Sequence, residues 1–228
     1  LDRAVIFVDG RYTLQVRQQV DDNFFAYADL VETPPDLWLA ENAAKGASIG
    51  YDPMLHTKAG VERLDKAAAA RGFTLVALAR NPIDAAWKDQ PARPLSPARP
   101  HGLELAGRSS GDKRRQVADA VAKAGADAVL LTAPPSIAWL FNIRGADVSR
   151  TPLPLGRALV TKEGKATLFL APEKVGNELP AFLGDDVDIR AEADVEAGLE
   201  KLGREKQRVA VDPALAPMKY VRVLTGAG

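Results

Sequence analysis

The 228-residue chain has no cysteine and only two histidines, His56 and His101. Without cysteine there are no disulfides and no thiolate metal sites, which fits a reducing compartment. With two histidines and neither an H-x-H nor an H-E-x-x-H spacing, no nitrogen-rich metal site can be assembled. A G-x-S-x-G elbow is missing, so no Ser-His-Asp triad is assigned. Phosphate loops and dinucleotide fingerprints are missing too, so no nucleotide is implied. Neither sign of charge is in excess: Lys+Arg and Asp+Glu both number 30, and nothing global draws the chain to nucleic acid or an anionic membrane. No apolar run is long enough to cross a bilayer. The opening LDRAVIFVDG starts without Met, lacks the basic start and cleavage site of a signal peptide, and reads as the interior of a domain.

What is present is ordinary globular material. At 46% hydrophobic residues the chain can bury a sizeable core in one large or two ordinary domains. Strands are expected at AVIFVDG (4–10), SIGYD (48–52), FTLVALA (73–79), DAVLLTAP (127–134) and RVAVD (208–212). Helices are expected in DLWLAENAA, in KAGVERLDKAAAARG up to Gly72, in GDKRRQVADAVAKAGA and in VEAGLEKLGREK. ALVTKEGKATLFLAP (158–172) reads as a hairpin turning at Glu163-Gly164. This alternation predicts an α/β fold. Residues 82–111 hold too much Pro and Ser for a packed element and read as a linker.

The two halves repeat each other weakly. Each has a strand running into a turn, VDGRYTL and VTKEGKATL, and later a strand closing in Asp-Pro, at Asp52-Pro53 and Asp212-Pro213. Asp9, Asp52 and Asp212 all follow apolar strands, where Asp ordinarily opens a turn. A nuclease built on these acids is disfavoured, because two lie in one repeat and the third in the other.

Two cationic turns remain as candidates. Arg11 follows a Gly just after a strand, with a salt bridge to Asp9, or to the acids Asp21 and Asp22, as the alternative to a ligand contact. The second turn is SIAWLFNIRGADVSRTPLPL (136–155), where an amphipathic helical turn meets a polar loop. Asn142 and Gly145 can end a helix there, and Arg144 can pair with Asp147. An Arg held on a Gly-hinged loop can equally fork onto a carboxylate or carbonyl of a ligand. Trp139 is expected to be buried as the loop's anchor, with Leu140 and Phe141, because indole buries so much area. If the loop serves a cleft, Arg144 is expected to be exposed and the polar side chains of 142–150 to be poorly satisfied.

Four stretches, FVDGRYTLQVRQQVD (7–21), IGYDPMLHT (49–57), NPIDAAWKDQPARP (81–94) and SIAWLFNIRGADVSRTPLPLGRALV (136–160), resemble in order the Xaa-Pro aminopeptidases of the creatinase and prolidase family. The resemblance implies two related creatinase-type amino-terminal domains, each a mixed β-sheet flanked by helices and each truncated. They would occupy 1–96 and 112–228, with a Pro/Ser-rich linker at 97–111. The catalytic pita-bread domain would be absent from the chain, and with it two divalent cations, commonly manganese, whose bridging water attacks the bond before proline. It further implies proline-containing peptide substrates, a cytoplasmic location, a possible homodimer of the full-length enzyme, and no nucleic-acid or membrane partner. No catalytic and no metal-binding residue is then expected here. Arg11, Asn142, Arg144, Asp147 and Arg150 are the candidates for lining the substrate cleft. One departure falls at Ser149-Arg150, where relatives usually have a residue followed by His, so no proton-donating role carries over to Arg150. The rival reading is a free-standing binding or scaffold protein built on the same fold.

Overall fold

The computed structural model describes residues 4–227; residues 1–3 and 228, which the expected domains include, lie outside the described residues. The chain divides into two compact units, residues 1–52 with 59–80, and residues 53–58 with 81–228.

The first unit is built from strand–helix–strand steps. Strands β1 (Ala4–Val8) and β2 (Phe25–Asp29) pair in parallel across helix α1 (Thr13–Gln19). After helix α2 (Pro35–Asn42), strands β3 (Ser48–Tyr51) and β4 (Thr74–Ala77) pair in parallel across α3 (Lys58–Arg71). Parallel pairing follows from connections long enough to hold a helix, which a hairpin turn cannot supply. The described ladders here are thus two parallel pairs rather than one mixed sheet. On α3, Val61, Leu64 and Ala68 recur at helical spacing and are buried, and Gly72 ends the run at φ 77°.

In the second unit, helix α4 (Pro82–Ala86) is capped by Asn81, whose side chain accepts from the Ile83 N–H. There follow β5 (Arg99–Pro100), α5 (Leu103–Ala106), α6 (Ser110–Lys123), β6 (Ala128–Leu131), α7 (Pro134–Phe141), β7 (Ile143–Arg144), β8 (Arg157–Thr161) and β9 (Ala166–Leu170). The unit closes with α8 (Glu178–Leu183), β10 (Val187–Ala191), α9 (Val195–Arg204), β11 (Val209–Val211) and α10 (Met218–Ala227). Five strands make the mixed sheet β10-β9-β8-β6-β11, antiparallel in its centre and parallel at both flanks. The hairpin turns where expected, with Gly164 at φ 84° supplying the left-handed residue. Strand alternation sends Ala158, Val160, Leu168 and Leu170 to one face with Ile137, Leu140 and Leu179. It sends Leu159 and Phe169 to the other with Val195, Leu199 and Tyr220, so helices cover both faces.

The repeat is present in the element order, in a different register from the one the turns suggested. β1-α1-β2-α2-β3-α3 corresponds to β9-α8-β10-α9-β11-α10, with β1 and β2 starting 162 residues before β9 and β10, and β3 starting 161 before β11. AVIFVDG therefore matches ATLFLAP, and VTKEG belongs to the additional hairpin strand.

The Pro-rich segment is not a bare linker. Pro97 and Pro100 lack an N–H, but residues between and beside them donate: Ser96 to Asp147 Oδ1, Ala98 to the Lys174 carbonyl and His101 to the Asn142 carbonyl. Alternating prolines suit an edge strand, whose N–H groups are needed on one side only. Ala98 is buried, and β5 pairs antiparallel with β7.

Candidate functional site

Arg11 lies in the first unit, on the turn between β1 and α1. Its Nε and Nη2 donate to Asp9 at 3.1 and 2.6 Å, and its backbone N–H donates at 2.9 Å. The guanidinium is 80% exposed. The hydrogen bonds from the Arg11 side chain, then from its backbone, hold the Asp9 carboxyl below its ordinary value.

The other four candidates share one loop of the second unit, 142–150. α7 begins with prolines at its first turn and ends at Asn142, which takes the left-handed conformation at φ 52°. Asn142 is buried with both polar side-chain atoms engaged: Nδ2 donates to the Arg108 carbonyl at 2.8 Å and Oδ1 accepts from Lys113 Nζ at 2.5 Å. Lys113, itself 4% exposed, also donates to the Trp139 carbonyl at 3.0 Å and sits 4.9 Å from the centre of the indole. Burial first, then the like charges of Arg144 and Arg108, push the Lys113 ammonium below its ordinary value.

Arg144 is half-buried. Its Nη1 donates to the Ile143 carbonyl at 2.9 Å and the Ala138 carbonyl at 3.4 Å, so the guanidinium sits at the carbonyl end of α7. It does not pair with Asp147. The Asp147 side chain is 0% exposed and is bound by Lys174 Nζ at 2.6 Å, itself 2% exposed. Asp147 also accepts from the Ser96 N–H at 3.1 Å and the Leu155 N–H at 2.6 Å. Through Asp147 the middle of the loop is tied to Lys174, to Leu155 and, by the Ser96 N–H, to the Pro-rich segment. Gly145 packs beneath Pro154, where a Cβ would come within 2.7 Å of backbone atoms. Arg150 is exposed at the tip, at φ 59° in the turn closed by the Val148–Thr151 bridge.

Three expectations are therefore corrected, the first being the exposure of Arg144, which is half-buried against the carbonyl end of α7. Trp139 is not buried: it is 45% exposed, while Ile137, Leu140 and Phe141 are at 0%. Those three occupy the core-facing arc of α7, which leaves position 139 to face outward over Lys113. The loop's polar groups are also not generally unsatisfied, since both polar side-chain atoms of Asn142 and both carboxylate oxygens of Asp147 are hydrogen-bonded. Sequence reasoning missed Lys113 and Lys174. Lys113 carried a signal, being four and eight residues before Val117 and Val121 on the apolar face of α6. Lys174, on a short turn after β9, carried none. Among the described residues no group of three or more His, Asp or Glu side chains could hold a metal ion.

This arrangement can position a cation and an indole at a solvent-facing edge. Residues 89–228 match the family model of the Creatinase/Prolidase N-terminal domain. A "Probable Xaa-Pro aminopeptidase P" of Neosartorya fischeri is 31% identical over 217 residues, 94% of this chain and 33% of that protein. "Aminopeptidase P1" of Lotus japonicus is 32% identical over 190 residues, 83% of this chain and 29% of that protein. The chain thus spans about a third of the length of these curated relatives. The crystal structure of X-prolyl aminopeptidase from Caenorhabditis elegans, a cytosolic enzyme with a di-nuclear active site, superposes with a TM-score of 0.86 at 24% identity, covering 99% of this chain and 38% of that one. With the mixed sheet, the helices on both its faces and a family match over most of its length, the chain belongs to the Creatinase/Prolidase N-terminal domain family.

Proposed function

We propose that the chain is the non-catalytic amino-terminal part of a Xaa-Pro aminopeptidase, a cytoplasmic enzyme that removes the first residue from peptides with proline second. What supports this most is the extent of the likeness, since 94% of the chain aligns with one third of a protein bearing that name. The described residues do not fit a pair of metal ions, so the proposal places the two cations, manganese, in a further catalytic domain and assigns them no ligand here.

The two creatinase-type domains would form walls of the substrate cleft and admit only short or unstructured peptides. Such walls orient substrate and exclude water rather than break bonds. Arg144 would be the cleft contact of the 142–150 loop and Arg150 its exposed rim. Asn142 and Asp147 would hold the loop in shape from inside, and Arg11 would mark the corresponding rim in the first unit. The test is to read the gene beyond Gly228. Acidic and His ligands of a pita-bread catalytic domain are expected there; a stop codon soon after Gly228 would contradict the proposal and favour a free-standing binding protein.

A further inference from the structure

The cations gathered around α7 exceed what capping one helix requires. The β5–β7 ladder sets Arg99 directly opposite Arg144, a cross-strand placement in which like charges repel. Arg108 and Lys113 complete the group, and Arg144 and Arg108 both act on the Lys113 ammonium. Among the described residues none of these four cations forms an ion pair. Their partners are neutral: Arg108 Nη1 donates to Gln116 Oε1 at 3.0 Å, Lys113 binds a carbonyl and the Asn142 amide, and Arg144 binds carbonyls.

Among the described residues no acid on a neighbouring element pairs with them. Asp112 is bound by Ser109 and Arg115 and feels Arg108 only as a more distant charge, Asp147 is enclosed by Lys174, and Glu104 on α5 is exposed with no hydrogen bond to any of the four. Arg99 and Arg108 are exposed, and Nε and Nη2 of Arg144 make no hydrogen bond among the described residues. The half-exposed indole of Trp139 lies at the same place, over Lys113.

We propose that this cluster of cations without ion pairs is a carboxylate-binding subsite for short peptide substrates. Arg144 and Arg99 take the carboxylate, and the Trp139 indole takes the apolar part of the chain beside it. A carboxylate there would accept forked N–H bonds and remove the repulsion that the fold otherwise leaves standing. The inference rests on the aminopeptidase reading of the same loop, and deepens it by naming what the loop recognises. The carboxylate can come from a peptide's carboxyl terminus or from a Glu side chain.

The full-length protein is assayed with Arg-Pro-Pro, its carboxyl-terminal amide, and Arg-Pro-Glu amide. The expected result is a kcat/KM about tenfold or more higher for at least one carboxylate-bearing peptide than for Arg-Pro-Pro amide, as a charge-assisted contact gives. That preference should fall to about one in both Arg99→Gln and Arg144→Gln; Arg99 is exposed, so its replacement leaves folding out of the result. A preference confined to the free acid assigns the terminal carboxylate, and one confined to Arg-Pro-Glu amide assigns the side chain. Equal cleavage of all three peptides, or a preference that survives both substitutions, overturns the proposal and leaves the cations as caps of α7. Should the full-length protein cleave none of them, the aminopeptidase reading has failed. The subsite is then judged by titrating the same peptides into the ¹⁵N-labelled chain. Trp139 indole shifts caused by a carboxylate-bearing peptide and not by Arg-Pro-Pro amide uphold it, and identical responses overturn it.

Discussion

Replacing Lys174 by Met puts the loop's internal anchor to the test. Both side chains of the Lys174–Asp147 pair are almost wholly out of solvent, at 2% and 0% exposure, and meet at 2.6 Å. Methionine fills much of the same space but leaves the Asp147 carboxylate buried without its counter-charge. Breaking one side of a buried pair typically costs about 3–5 kcal/mol, because the remaining charge is uncompensated. Here the backbone N–H groups of Ser96 and Leu155 still serve the carboxylate, which argues for the lower end of that range. For a unit of this size a loss of about 3 kcal/mol corresponds to a fall in Tm of about 6–12 °C. Urea denaturation of the wild type, Lys174→Met, Asp147→Asn and the double variant completes a cycle. The double variant should be more stable than Lys174→Met, since a neutral amide tolerates the missing ammonium. A loss below about 1 kcal/mol for Lys174→Met, the range of exposed pairs, would refute the claim that this pair holds the loop.

Other consequences follow from the same contacts. Trp139→Ala should cost clearly less than the about 3–5 kcal/mol of a fully buried indole, because the ring is half in solvent; a full-sized loss in calorimetry would show that the ring is core. Gly145→Ala must displace Pro154 and should cost about 1–3 kcal/mol as overpacking, while an unchanged Tm would mean the loop yields freely. The Asp9–Arg11 pair lowers the Asp9 carboxyl, so its contribution is present above the ordinary carboxylate range and is lost as pH falls through the lowered value. Arg11→Ala should move the Asp9 titration upward in carboxyl ¹³C NMR, and an unmoved titration would exclude Arg11 as the cause.

Much of the second unit was legible because its elements obey single rules. Apolar runs on either side of Glu163-Gly164 gave β8, β9 and their turn, and the repeating apolar positions gave α6 and α9. The short edge pieces β5 and β7 have no such pattern, since two residues in a ladder carry no period and prolines conceal the donors beside them. The 142–150 loop was legible as a candidate, because Asn142, Gly145 and the charges stand close together in sequence. Its internal wiring was not. Asp147 had Arg144 three residues away as an obvious partner, yet burial favoured Lys174, whose aliphatic stem can reach the core from another element. Trp139 was misread because indole area argues for burial, whereas on α7 the phase set by Ile137, Leu140 and Phe141 decides.

The central claim is that this chain shapes a peptidase without performing its chemistry. The direct measurement compares the purified 228-residue chain with the full product of its gene, each incubated with Mn²⁺ and Arg-Pro-Pro, scoring released arginine with and without chelator. The account predicts no release by the chain and chelator-sensitive release by the full product. Chelator-sensitive release by the chain alone, or none by the full product, would contradict it.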